Sequence, residues 1–401
     1  MTDSTKRSER FLNILYITVF VICVARRTLD TTMWDIDWPQ KMMVFLRWVI
    51  AAVLVARLVV FRRLLSAKVI FLEILVTGPA ILTYICVHSY STFLELMLLV
   101  GAGIGMRFRD ILKWYLTVEA LILVVTVTSS QVGLVENLVY EMGDITRISF
   151  GYVYPTDFTA HIFFMAVAWL LLRESRITYG EIAGIAVLGV LAYYFCHARA
   201  NAAALIMAAV GALCFKLYYS RSHTDVGQQD KEGRSGIAGR ILAAIGVFMN
   251  VICCAMMIAL TYFYDAANGT FLKLDTLLSS RLSIGRTGFD RYDVGLLAQK
   301  IKMIGYGRSL EAPEEYFYLD CSYVNTLLRY GLIVMAAVLL LFFVLAYRSV
   351  RRGEYIMLFC IALISVQCMI EHHMLALAYD PILFALFAAP GIERREGGDN
   401  V

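Results

Sequence analysis

About twelve apolar stretches, each near the length needed to cross a bilayer, punctuate this chain of 401 residues. They fall at roughly 11–25, 43–61, 69–87, 92–106, 111–130, 159–173, 180–196, 201–219, 241–264, 323–347, 355–370 and 374–390. A crossing takes roughly 20 apolar residues for a hydrocarbon core of ~30 Å. No water at that depth can satisfy backbone N–H and C=O groups, so the spans are expected as helices and not as strands. Tilting, kinking or neighbouring helices accommodate the shorter ones. With 60% hydrophobic and 17% charged residues, too few polar residues remain to clothe a water-soluble core. The expectation is an all-α polytopic membrane protein: one integral membrane domain over 1–401 with about 12 transmembrane helices.

Lysine and arginine alternate in density from one connector to the next. Arg62, Arg63 and Lys68, then Arg107, Arg109 and Lys113, then Arg348, Arg351 and Arg352 lie on one side, with further basic residues beside both termini. The opposite short connectors hold only Arg26, Arg27, Lys41, Arg147 and Arg199. By the positive-inside rule both termini are cytoplasmic and the protein is multi-pass. That asymmetry accounts for the net charge of +4 and points to membrane lipid, not nucleic acid. Of nine cysteines only Cys321 lies outside the spans, so Cys serves as a small apolar residue rather than a disulfide framework. The first span has a basic flank without a small-residue cleavage site and reads as retained. Asn268-Gly269-Thr270 fits a glycosylation acceptor on the outer side, a chance match if the source is bacterial.

Two outer segments are long, about 131–158 and about 265–322. Long connectors in compact domains are functional or disordered, and the aromatic and aliphatic content of both argues against disorder. In the second, apolar residues recur at three- and four-residue spacing, which predicts short amphipathic helices on the outer membrane surface. The cytoplasmic linker at about 220–236 is polar and free of aromatic residues, with no chemistry in it. No internal repeat supports an inverted-repeat transporter.

Outer-side arginine is the sharpest chemical signal. Arg199 sits in CHARAN, a tight junction between two spans, where desolvation of its guanidinium is expected. Ionisable groups at such depth are costly and functional; the alternative is snorkelling to the headgroups. Arg281, Arg286 and Arg291 recur every five residues, a spacing that turns each by about 140° on a continuous helix. At most two could converge on one ligand unless Gly285 and Gly288 break the helix. Guanidinium binds phosphate oxygens bidentately, which makes Arg281 and Arg286 candidate clamps. Arg291, beside Asp290 and Asp293, reads as a solvated charge.

Asp157 and His161 fall at i and i+4 at the head of a span, one face of a helix, and form a candidate acid–base pair. Helix capping by Thr156 or Asp157 after Pro155 is the alternative. Glu371-His372-His373 ends another span as base or acceptor-hydroxyl candidates, with a polar hairpin closure as the alternative. Adjacent helical residues do not face one another, so the trio makes a poor metal cage, and no metal or cofactor is expected. Asp380-Pro381 inside the last stretch predicts a kink whose freed backbone groups face protein. Asp35-Ile36-Asp37, flanked by Trp34 and Trp38, reads as an interfacial belt. Phosphate-cradling Gly loops, GxSxG, HExxH and CxxC are absent, which argues against nucleotide hydrolysis and thiol redox chemistry.

Four pieces over about 140–390 resemble, in order, the landmarks of Wzy-type bacterial polysaccharide polymerases, relatives of the O-antigen ligases. They are Arg147 followed by FGYVYPTDF, HARAN with Arg199, the stretch from Arg281 to IKMIGYG, and LDCSYVNTLLRYGLI with Asp320, Tyr323 and Gly331. His197-Ala198 stands where the family more commonly has a small hydroxyl residue before the Arg.

The resemblance implies a GT-C-like membrane glycosyltransferase that uses a polyprenyl diphosphate donor without metal. On that basis the expected activity is transfer of a glycan from undecaprenyl diphosphate to the terminal sugar of a lipid-linked repeat, at the outer face of a bacterial plasma membrane. Flippase and chain-length regulator proteins would be its partners. Asp157, His161, Glu371 and His372 are the expected base or acceptor-orienting residues. Arg147, Arg199, Arg281, Arg286, Asp320 and Tyr323 are the expected substrate-binding residues. Tyr152, Tyr154, Tyr316 and Tyr318 could stack on sugar rings or simply anchor at the interface. The rivals are a ligase using the same donor and a flippase of lipid-linked oligosaccharide. A flippase needs polar residues along its whole path, whereas here they crowd the outer ends, with Glu119 the clearest deep exception.

Overall fold

The computed structural model describes residues 3–224, 237–311 and 313–388. The linker expected at 220–236 therefore falls almost wholly outside the described residues, as do Arg394 and Arg395. In chain order the helices begin with α1 (Asp3–Leu29), α2 (Gln40–Val60), α3 (Ala67–Val87), α4 (Ser91–Gly101) and α5 (Phe108–Gln131). A hairpin follows, β1 (Val139–Met142) and β2 (Ile145–Ile148), then α6 (Pro155–Arg173), α7 (Tyr179–Cys196), α8 (Arg199–Thr224) and α9 (Ile237–Tyr262). The last helices are α10 (Gly269–Leu277), α11 (Arg281–Arg291), α12 (Ser322–Arg352) and α13 (Tyr355–Gln367). Among the described residues nine helices are long and apolar enough to cross a membrane, and α4 and α13 are shorter apolar helices. This is an all-α polytopic membrane architecture.

Two expected spans differ from the structure. The stretch at 92–106 is helical only to Gly101, after which turns carry the chain to Arg107. The stretch at 374–390 contains no α-helix in its described part; 3-10 turns at His373–Leu375 and Ile382–Leu386 are joined by a hydrogen-bonded turn at 377–379. It still runs alongside α12. The Ser322 hydroxyl at the head of α12 donates to the Glu371 carbonyl (2.6 Å), and Arg348 near its far end donates to the Leu386 carbonyl (2.9 Å). Non-helical backbone at membrane depth is tolerated where protein covers it, and Ile382, Leu383 and Phe384 are buried. The freed carbonyls of Ala378 and Tyr379 accept from the Tyr115 hydroxyl of α5, and Asp380 accepts from the Ile382 N–H (2.9 Å). The backbone groups near Asp380-Pro381 thus meet protein, as expected, but in an irregular segment and not at the kink of a helix.

The two long connecting segments are ordered by local chemistry. Gly143, at φ +62°, turns the Val139–Met142 and Ile145–Ile148 strands back on each other, with Tyr140 opposite Arg147. That small sheet is the exception to the all-helical expectation. In the second segment Asn268 caps α10 by accepting from the Thr270 N–H (2.9 Å), so the acceptor-like triplet is a helix start. Asp275 then accepts from the N–H groups of Leu282 and Ser283 (2.8 and 3.1 Å), satisfying donors in the first turn of α11.

Helix α12 is broken at Gly331 (φ +84°, ψ +176°), its tenth residue. The connector after α11 fills the break: the N–H groups of Leu332 and Ile333 bond the carbonyls of Gly295 and Leu296 (3.0 and 3.2 Å). A Cβ at Gly331 would stand only 2.6 Å from the Leu297 carbonyl oxygen. Gly331→Ala is therefore expected to lower stability by at least about 1–3 kcal/mol, since positive φ and a backbone clash act together. Gly353→Ala, also at positive φ (+71°) but with open space around its Cβ, is the control and should cost less. Thermal unfolding midpoints in one detergent would check the order of the two.

Candidate functional site

A cavity of about 280 Å³ opens where the C-terminal end of α1 and the N-terminal end of α12 meet the irregular segment that follows α13. Its volume is near the lower end for small-molecule sites, roughly 300 Å³ and up. Arg27, Thr31, Tyr318, Arg329, His372 and Tyr379 line it. Arg329 lies seven residues into α12, just before the Gly331 break, with its guanidinium over the Tyr90 ring (4.4 Å) and beside Tyr330 (5.5 Å). Among the described residues no carboxylate lies within ion-pair distance of it, and its Nε is buried without a hydrogen-bond partner.

Arg27 belongs to a buried charge cluster. The fully buried Glu95 of α4 accepts from Arg26 and Arg27 through one oxygen, at 2.6 Å to Arg27, and its other oxygen lies 3.6 Å from Arg47. Asp30 adds a second carboxylate, 3.4 Å from Arg27 and 3.6 Å from Arg26. Three guanidiniums against two carboxylates leave one positive charge, and Arg329 brings a second to the cavity.

The opposite wall holds His372. Its Nδ1 lies 3.6 Å from Asp320, and its Nε2 lies 3.4 Å from the Tyr318 hydroxyl. Burial opposes the proton, but the Asp320 carboxylate outweighs it and raises the His372 pKa above the usual imidazole value. The other oxygen of Asp320 pairs with Arg281 at 3.0 Å. Arg281 is held in turn by the carbonyls of Ile370 (2.8 Å) and Ser279 (3.0 Å). Burial lifts the neighbouring Glu371 carboxyl to about 7, with Arg281 working against it.

The sequence candidates divide around this site. His372, Asp320, Arg281 and Glu371 come together. Asp157 is hydrogen-bonded to Tyr379 and senses both His372 and His161. Arg147 binds the Cys196 carbonyl (3.0 Å) from β2 and is within electrostatic reach of Glu371 and Arg281. Arg199 corrects an expectation: its side chain is exposed, not desolvated, contacts Ser279 (3.2 Å), and does not line the cavity. Arg286 is half-exposed and pairs with Asp290 (2.9 Å). Arg291, expected as solvated, is half-exposed, pairs with Glu315 (2.6 Å) and lies over the Phe317 ring. Helix α11 runs unbroken through Gly285 and Gly288, so the three arginines diverge.

Tyr323 is fully buried, donates to the Ser365 carbonyl (2.8 Å) and accepts from Asn250 (3.2 Å), so it is a bundle contact beyond reach of a sugar. Tyr152 is likewise fully buried. Tyr154 and Tyr316 instead join Tyr140 and Tyr306 in an aromatic group, with ring centres 5.2–6.0 Å apart.

Two further expectations are corrected. His161 Nδ1 lies at ion-pair distance from Glu119 (2.8 Å), so the partner of its ring is that carboxylate and not Asp157 four residues earlier. The helical-spacing argument against a metal cage at Glu371-His372-His373 does not apply, because α13 ends at Gln367 and the irregular backbone brings their ligand atoms within 4.8 Å. A proton held on His372 and the Arg281 charge beside Glu371 still oppose a cation there. Sequence reasoning passed over Arg27, Arg329 and Glu95. The signal was present, since Arg329 and Glu95 are ionisable residues within apolar stretches. No protein-family profile, curated protein or solved structure matches the chain.

Proposed function

We propose that this protein is a polysaccharide polymerase that transfers a glycan from a polyprenyl diphosphate to the terminal sugar of a second lipid-linked repeat at the outer face of a bacterial plasma membrane. The observation that carries the reading is the cavity with excess positive charge, lined by Arg27, Arg329 and His372, the last of them 3.6 Å from the Asp320 carboxylate. A diphosphate leaving group requires stabilisation of the negative charge that develops on its oxygen as the glycosidic bond breaks. Guanidiniums supply that bidentately, and a protonated His372 donates a hydrogen bond to the same oxygen. The Tyr140, Tyr154, Tyr306 and Tyr316 group offers ring faces to the sugars. This reading puts both termini in the cytoplasm and the segment 265–322 outside.

Incubation of the purified protein with a single polyprenyl-diphosphate-linked repeat is expected to yield a ladder of oligomers. Transfer only to an added non-sugar acceptor would favour the ligase instead. A transporter of the same lipid is the second reading, because the bundle holds more buried ionisable groups than Glu119 alone: Arg57, Glu73 and Glu95 are also buried. For a transporter, loss of the gene would leave repeats reachable only after the membrane is permeabilised, and the purified protein would make no ladder.

A further inference from the structure

A second carboxylate–imidazole pair reaches the same cavity through a hydroxyl. His161, two turns into α6, and Glu119, in the middle of α5, are both fully buried. His161 Nδ1 lies 2.8 Å from one oxygen of Glu119, and the Thr28 hydroxyl binds the other oxygen. His161 Nε2 lies 2.9 Å from the Oγ1 of Thr31, which lines the cavity with Arg27, His372 and Tyr379. The Tyr379 ring stacks on the imidazole, centre to centre 4.2 Å, and fixes its plane.

A pair that merely clipped α5 to α6 would need nothing at Nε2. Here the imidazole has one nitrogen on a carboxylate and the other on a hydroxyl that opens to the cavity, the arrangement in which a carboxylate orients a base and the base activates a hydroxyl. The Thr31 hydroxyl also lies 2.6 Å from the Thr28 carbonyl and is hydrogen-bonded to the Tyr379 side chain, so its proton has two acceptors, His161 Nε2 and the Thr28 carbonyl.

We infer that Glu119, His161 and Thr31 form a proton relay that removes the proton from the acceptor hydroxyl during glycosyl transfer. The inference rests on the polymerase reading above and adds the base to it. As the acceptor oxygen bonds to the anomeric carbon, its proton passes to Thr31 Oγ1, and the Thr31 proton passes to His161 Nε2. The bond from the anomeric carbon to the diphosphate breaks, with its electron pair on the departing oxygen. The imidazolium is neutralised by Glu119 and returns its proton to solvent after product leaves. Thr31 is the catalytic residue; His161 and Glu119 act through it. His372, held in its protonated form by Asp320, serves the leaving group, so the two imidazoles on one cavity have opposite tasks.

The test is the ladder assay, read as kcat and KM. Thr31→Val keeps the shape and removes the hydroxyl, and should lower kcat by about 100-fold or more with KM little changed. Thr31→Ser should retain most of the rate. His161→Gln should lower kcat to a similar extent, again with KM little changed. A wild-type kcat in Thr31→Val or in His161→Gln would overturn the relay alone. Absence of oligomers from the wild-type protein would overturn the polymerase reading and the relay with it.

Discussion

Arg329→Lys is expected to lower polymerisation by about 100- to 1,000-fold, the range seen when one aimed donor is lost from a charge-stabilising site, while the protein still folds. The reason is geometric. Lysine keeps the charge but not the planar fork that binds two phosphate oxygens at once, nor the flat face that rests on Tyr90 at 4.4 Å. Arg329 has no carboxylate partner among the described residues, so little ion pairing must be broken before it meets an anion. Its direction is set by the Gly331 break and by the connector stitched into it, where the Gln299 N–H binds the Arg329 carbonyl at 3.1 Å. Arg199→Lys is the comparison. The junction in which Arg199 sits suggested a desolvated clamp, but the side chain is exposed, and its substitution should be nearly silent. Rates of ladder formation, with size-exclusion profiles to confirm folding, decide between them. A silent Arg329→Lys beside an inactive Arg199→Lys would move the diphosphate away from the cavity.

Glu95→Gln should destabilise the protein by about 3–5 kcal/mol, the cost of leaving buried charge without its partner. Glu95 is fully buried, and Arg26, Arg27 and Arg47 all lie within ion-pair distance of it. Gln keeps the size and much of the hydrogen bonding but removes the negative charge. Arg26, with a side chain only 2% exposed, then has half-exposed Asp30 at 3.6 Å as its remaining counter-charge. Replacing Arg26 by Met in the same background should recover part of the loss, because the repulsion between adjacent guanidiniums falls with each one removed. Thermal unfolding midpoints of the single and double variants measure both effects. Equal midpoints for wild type and Glu95→Gln would show that water reaches the cluster and screens it.

Much of the architecture was legible in the chain. Apolar run length identified the long helices, and the three- and four-residue apolar spacing of the 265–322 segment foretold short helices where α10 and α11 lie. Asp380-Pro381 marked an irregularity, but the stretch around it is not a kinked helix at all. The site was legible only in part. His372, Asp320 and Arg281 were singled out separately, and nothing in their spacing said that one carboxylate would bridge the other two. The Asp157–His161 spacing did place both on one face of α6, yet the partner that His161 takes comes from α5.

Hydropathy, helical period and capping are properties of a few neighbouring residues, so the sequence by itself determined that this chain is a helical membrane protein with two long structured connecting segments. Tertiary structure decided what depends on contact between distant segments. A helix at 374–388 would have satisfied its own backbone, but Tyr115, Ser322 and Arg348 supply bonds to an irregular crossing instead. Likewise Glu119, Glu95 and Arg329 read along the chain only as ionisable residues in apolar surroundings. Charges in a low-dielectric interior persist where a partner or a ligand meets them, and packing alone placed His161 and Thr31, three arginines, and an open cavity at those positions.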